Sequence, residues 1–181
     1  VVTGAKGNAL DVIKKIAKEK NASLFVVKRC ADVNFDYLNG NFQQQNKNIA
    51  LTTIDTLKKF HPIKIDKNQI LNGLKKTKWP ARLQFISKNV LVDCAHNPSS
   101  FEVLRNELNV IKKQKNIKYF IFVVGIQNDK NIPMMLKTIN HLISTIIFTK
   151  SKNEKATEPK ELSKIINKIN KNELIKSKII N

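Results

Sequence analysis

The chain has 181 residues, 41% of them hydrophobic, and a formal net charge of +19 from 33 Lys+Arg against 14 Asp+Glu. That length holds one ordinary domain or two small ones with a real core. No apolar run approaches the ~18 residues of a membrane helix, and no secretory leader opens the chain. The charge would suit a nucleic-acid or anionic-membrane partner. However, the lysines are spread over every predicted helix and loop, and the aromatics, 7% of residues, do not interleave with them as a stacking platform would. A coding bias toward Lys and Asn gives the same charge. A non-catalytic basic α/β module binding polyanions is kept as the alternative reading. Cys30 and Cys94 fit no metal or disulfide spacing and read as reduced thiols of a cytoplasmic protein.

Val1-Val2-Thr3 reads as a strand arriving without its preceding element, as in the middle of a protein. Gly4-Ala5-Lys6-Gly7 is a turn. It is not a phosphate loop, because that loop needs Lys directly after its second Gly, then Ser or Thr, whereas Lys6 precedes Gly7 and Asn8 follows. Asn8 is the expected N-cap of a helix with Leu10, Ile13, Ile16 and Ala17 at helical spacing, ending near Lys20. Residues 23–27 are apolar and extended, which makes a βαβ-like opening with parallel strands. Residues 28–41 are irregular and close at Gly40. Phe42-Gln43-Gln44-Gln45-Asn46 feeds a helix with Ile49, Ala50, Thr53, Leu57 and Phe60 on one side, stopped by Pro62. Asp66 with Gln69 is a capping-box pattern before Ile70, Leu71 and Leu74. Residues 75–78 and then Trp79-Pro80 read as a hinge, which sets domains at 1–78 and 79–181.

Beyond the hinge, Leu83-Gln84-Phe85-Ile86 alternates and Ser87-Lys88-Asn89 is a polar turn. Val90-Leu91-Val92 is a continuous apolar run, read as a strand buried on both faces. Asp93, His96 and Asn97 follow where it stops, and Pro98 opens a helix to about Lys112 with Phe101, Leu104, Leu108 and Ile111 inward. In open α/β sheets ligands bind outside the carboxyl ends of strands, so these polar residues are candidates for a site. A strand over 119–124 and a loop over 125–130 come next. Asn131 caps a helix with Pro133 in its first turn, carrying Met135, Leu136, Ile139 and Leu142. A strand over 145–149 leads through a charged loop to a helix opened by Pro159, with Leu162, Ile165, Ile166 and Ile169. Residues 175–181 are ambiguous. The alternation of strand and helix means α/β with a mainly parallel sheet and right-handed crossovers.

Several motifs together resemble one family. Trp79-Pro80-Ala81-Arg82-Leu83-Gln84 resembles the W-P-G-R-L-E/Q motif of the folylpolyglutamate and dihydrofolate synthases, and Asp93-Cys94-Ala95-His96-Asn97-Pro98 their D-G-A-H-N-P. Phe42 to Asn46, with Ala50-Leu51, is similar to their aromatic-Q-x-x-N-A-x-x-A helix start. Val1-Val2-Thr3-Gly4-Ala5 is similar to their P-V-V-T-G-A. Val124-Gly125, Asp129-Lys130-Asn131 and Met134-Met135-Leu136 are similar to their V-G…D-K-D…M-L. The motifs fall in the family's order.

The resemblance implies the Mur ligase superfamily. Residues 1–78 would be the end of a central ATPase α/β domain. Residues 79–181 would be a Rossmann-like Mur ligase C-terminal domain, expected to be incomplete at its end. It further implies an ATP- and Mg²⁺-dependent ligase that joins L-glutamate to dihydropteroate or folate through an acyl phosphate. Such an enzyme would be monomeric and would need neither nucleic acid nor membrane. Carried over residue by residue, Asn46 would contact the adenine, Arg82 the phosphates and Asp93 the ribose. His96 would support catalysis, and Asn97, Asp129 and Lys130 would lie near the glutamate and phosphate.

Each of these residues also has a plainer reading. Arg82 would be a surface ion-pair partner, Asp93 a cap for the following helix, Asn46 and Asn97 N-caps, and Asp129 and Lys130 loop charges. Another Mur-type ligase is the sibling reading. Ala81 and Cys94 stand where the family has Gly, and either is costly if its φ is positive. Asn131 replaces an acid. The family's G-T-N-G-K-G-S phosphate loop, its Mg²⁺ ligands and its modified lysine have no counterpart in these residues, and its glycine-rich closing strand is not seen after Ile180. The expectation is a fragment, inactive by itself, with no metal ligand of its own.

Overall fold

The protein is described here by a computed structural model covering residues 1–28, 35–170 and 176–180. Cys30 lies outside the described residues. The chain divides into two compact units, Val1–Val92 and Asp93–Asn181.

In the first unit, β1 (Val2–Thr3) pairs in parallel with β2 (Phe25–Val26) across the helix α1 (Gly7–Glu19). This is the βαβ opening expected from the sequence. The helix start differs from expectation. The helix begins at Gly7, one residue before Asn8, and the N-cap is Lys6 with no side-chain cap bond; Gly7 itself takes φ 55°. Asn8 therefore sits inside the first turn and cannot cap it. Asn21 ends α1 in the left-handed conformation (φ 47°). Asn21 N bonds Lys18 O and Ala22 N bonds Ala17 O, the bond pair of a Schellman ending.

The helix α2 (Gln43–Phe60) follows, then α3 (Lys67–Lys76), which begins with the Asp66–Gln69 capping box. α2 lies against β1 at Gly4. A Cβ there would come 2.9 Å from Ile49 Cδ1 and from Gln45 Nε2. The expected apolar side of α2 is only partly inward. Leu57 and Phe60 are 40% and 53% exposed, while Gln43, Lys47 and Asn48 are buried. Lys47 Nζ donates to Gln44 Oε1 at 2.6 Å, a partner that its ammonium requires once it leaves water.

The hairpin of β3 (Gln84–Ser87) and β4 (Val90–Val92) closes this unit. Here the reading of a strand buried on both faces is overturned. Among the described residues β4 pairs only with β3, antiparallel, in a two-stranded sheet, and Val90 is 47% exposed. The short polar link forces an antiparallel return, and a three-residue apolar run does not by itself separate a central strand from a hairpin arm.

In the second unit, α4 (Pro98–Gln114), α5 (Ile132–Ile139) and α6 (Pro159–Ile169) accompany β5 (Phe120–Val124), β6 (Ile143–Phe148) and β7 (Lys176–Ile179). The strands form one parallel sheet in the order β5-β6-β7, so part of the ambiguous tail is a strand. Phe122, Val124, Ile146 and Phe148 share the face that packs on Met135, Leu136, Ile139, Leu162 and Ile166, with Phe101 of α4 beside them. Period two along β5 turns Ile121 and Val123 outward, at 68% and 67% exposure. The architecture is α/β with a mainly parallel sheet, as read from the sequence.

Candidate functional site

The residues singled out from the sequence fall into two groups, one in each unit. In the first unit Asn46 and the Arg82 turn meet at one loop, 39–42. Gly40 has φ 101°, and a Cβ on it would lie 2.5 Å from Phe42 Cε1 and 3.2 Å from Leu83 Cδ2. Only glycine fits there, on conformation and on space alike. On one side this loop starts α2, with Gln43 N bonding Gly40 O at 3.1 Å and Gln45 N bonding Phe42 O at 3.2 Å. On the other side it holds the turn before β3, with Asn39 Nδ2 donating to Leu83 O at 3.1 Å and Leu83 only 2% exposed.

Asn46 is exposed on the first turn of α2. It does not cap the helix, which starts at Gln43. Its Nδ2 donates to Gln43 Oε1 at 2.8 Å. That bond fixes the amide and leaves its oxygen and second N–H without a side-chain partner among the described residues. Gln45, one residue earlier, donates from Nε2 to Gly4 O at 2.7 Å and ties the helix start to the end of β1.

Arg82 stands between two residues in the left-handed region, Ala81 at φ 54° and Leu83 at φ 45°. Each costs roughly 1–2 kcal/mol for a residue with a Cβ. Ala81 therefore occupies a backbone that favours the family's glycine, whereas Cys94 does not take a positive φ. Ala81 N donates to Gln84 Oε1 at 2.9 Å. Arg82 is half-buried, and its guanidinium makes no hydrogen bond or ion pair among the described residues. No described residue supplies the partner that the surface ion-pair reading needs. Five donors, always charged, are presented on a pinned turn.

The second group lies on the turn before α4. Asp93 Oδ1 accepts from Ala95 N at 2.8 Å, an Asx turn. Asp93 therefore does not cap α4. Asn97 does, through a capping box in which its Oδ1 accepts from Ser100 N at 2.8 Å and Ser100 Oγ accepts from Asn97 N at 3.0 Å. His96 is exposed and its Nδ1 lies 3.0 Å from Cys94 O. A proton on Nδ1 makes that bond and turns the Nε2 lone pair outward. Asp93, His96 and Asn97 follow an antiparallel hairpin arm, so the carboxyl-end rule for parallel sheets does not apply to them.

That rule does apply to Asp129 and Lys130, which follow β5. Their side chains pair with each other at 3.1 Å, an exposed ion pair worth little stability. Asn131 caps α5, accepting from Met134 N at 3.2 Å. Among the described residues, no group of three or more His, Cys, Asp or Glu side chains gathers as a metal site would require. Sequence reasoning missed Asn39, whose bond to Leu83 crosses 44 positions and leaves no local mark.

A family model described as the dihydrofolate synthetase C-terminal domain matches residues 81–180. The chain belongs to that family. A dihydrofolate synthetase of Saccharomyces cerevisiae is 28% identical over 153 residues, which is 76% of this chain and 35% of the yeast protein. A folylpolyglutamate synthase of Lacticaseibacillus casei is 32% identical over 109 residues, 59% of this chain and 24% of that protein. Among solved structures, a Mycobacterium tuberculosis folylpolyglutamate synthase complexed with ADP superposes with a TM-score of 0.79 at 17% identity, over 98% of this chain and 44% of that one. E. coli FolC in complex with DHPP and ADP gives 0.77 at 17% identity, over 100% and 44%. These likenesses show the fold. The chain spans about a third of the length of its yeast relative in this family.

Proposed function

We propose that this chain is the nucleotide-contacting C-terminal part of an ATP-dependent ligase that adds L-glutamate to dihydropteroate, to folyl-glutamate, or to both. The observation that carries the reading is Arg82, a half-buried guanidinium without a partner among the described residues, on a turn pinned to the start of α2. A fork of this kind suits phosphate oxygens. Asn46 would read the adenine edge from α2, and Asp93, from its Asx turn, would accept from the ribose hydroxyls. His96 would support the reaction through its outward Nε2. Asn97, Asp129 and Lys130 would border the glutamate and the departing phosphate.

In the proposed reaction the folate carboxylate attacks the γ-phosphorus of ATP and ADP leaves. The glutamate amine then attacks the acyl carbon, phosphate leaves, and an amide forms with release of a proton. Mg²⁺ would neutralise phosphate charge when bound. Its ligands are proposed to lie in parts of the protein outside this chain. The work of this chain is positioning and charge neutralisation. The intact ligase is proposed to act as a cytoplasmic monomer.

The test is phosphate release by the ligase containing this chain, measured with ATP, Mg²⁺, glutamate and dihydropteroate or a folate. Release that requires all of these together is expected. Residues 1–181 alone should not turn over, and robust turnover by them alone would sink the idea that the phosphate loop lies elsewhere.

A further inference from the structure

The turn that carries Arg82 is held from outside its own motif. Both neighbours of Arg82 are left-handed, Ala81 at φ 54° and Leu83 at φ 45°. Non-glycine residues persist in that region only where their surroundings over-determine them. Contacts that do so include the following. Gln84 Oε1 accepts from Ala81 N at 2.9 Å. The Leu83 side chain is buried at 2% exposure against Gly40. Asn39 Nδ2 donates to Leu83 O at 3.1 Å. The first comes from within the Trp79–Gln84 stretch. The other two come from the loop that also starts the Asn46 helix.

We propose that Asn39 is a positioning residue for Arg82. By holding the Leu83 carbonyl it fixes the backbone on the C-terminal side of Arg82 and so sets where the guanidinium points. It does this from a loop whose other end sets the first turn of α2, so one loop sets both Arg82 and Asn46. The proposal rests on the reading of Arg82 as the phosphate contact. Arg82, with no partner among the described residues, keeps a direction through its backbone, and a displacement of about 1 Å at a reacting centre can cost ~100-fold in rate.

The experiment is a double-mutant cycle in the ligase containing this chain, with kcat and KM for ATP and for glutamate measured separately. The variants are Asn39→Ala, Asn39→Asp, Arg82→Ala and the Asn39→Ala/Arg82→Ala pair. Asn39→Asp keeps the shape of the side chain and removes the donor. Either Asn39 variant is expected to lower kcat/KM for ATP by roughly 10- to 100-fold, Asn39→Asp at least as much as Asn39→Ala. KM for glutamate should stay unchanged, and the pair should be little worse than Arg82→Ala alone. Should Asn39→Ala fail to fold, the isosteric Asn39→Asp carries the cycle in its place. Normal ATP kinetics in the Asn39 variants overturns the proposal. So does a loss that multiplies in full with that of Arg82→Ala. A harmless Arg82→Ala removes the reading of the site itself, whereas a damaging Arg82→Ala beside a silent Asn39 removes only the positioning role.

Discussion

The two units bury different things. Asp93–Asn181 has one large apolar cluster, with Met135, Leu136, Ile139, Ile146, Phe148, Leu162 and Ile166 fully buried in it, and buries Glu107 and Thr157 besides. In Val1–Val92, among the described residues, the buried apolar side chains are Ala17, Leu74 and Leu83, next to buried Thr3, Gln43, Lys47 and Asn48. Each unit also holds its candidate residues differently. The second unit places Asn97 at an ordinary helix start, where local rules suffice. The first places Arg82 on a strained turn held by a long-range bond. Strain is retained where other contacts over-determine it, and such places are where function collects.

This contrast gives expected outcomes of decreasing size. Leu136→Ala should cost 2–5 kcal/mol in urea unfolding, roughly the range for emptying a tight apolar site, because Leu136 is fully buried. The same truncation at Leu57, which is 40% exposed in the first unit, should cost much less. Equal losses would erase the difference between the units. Asn97→Ala removes the cap of α4 and should cost about 1 kcal/mol. A neutral result would mean that Ser100 or water replaces the cap without loss. Ala81→Gly should stabilise the first unit by a few tenths to about 1 kcal/mol, since glycine relieves the φ of 54° at some entropic cost. A lowered melting temperature would show that the turn is not strained there. Glu158→Gln, which breaks the exposed 2.6 Å pair with Lys150, should change stability by less than about 0.5 kcal/mol.

What could be read from the sequence follows the same division. The starts of α3, α4 and α5 were legible because Asp66, Asn97, Pro98 and Asn131 act within one turn of where they stand. The parallel sheet was legible from the alternation of strand and helix. The inward face of α2 was not, because tertiary surroundings bury Gln43, Lys47 and Asn48 against their polarity. β4 was misread because a short apolar run suits a central strand and a hairpin arm alike. The replacement of the family's glycines posed a question that only backbone angles answer, and the answers differ, positive φ at Ala81 but not at Cys94. Asn39 could not be found at all, since its partner lies 44 positions away.

The most direct measurement is an ATP titration of the whole protein containing this chain, comparing wild type, Arg82→Ala and Arg82→Lys. Arg82→Ala should lower kcat/KM for ATP by about 100-fold or more with an unchanged melting temperature, because the guanidinium has no partner among the described residues to lose. Arg82→Lys should recover only part of that loss, since an ammonium keeps the charge without the fork. Wild-type ATP kinetics in Arg82→Ala would contradict the assignment of this turn to the nucleotide.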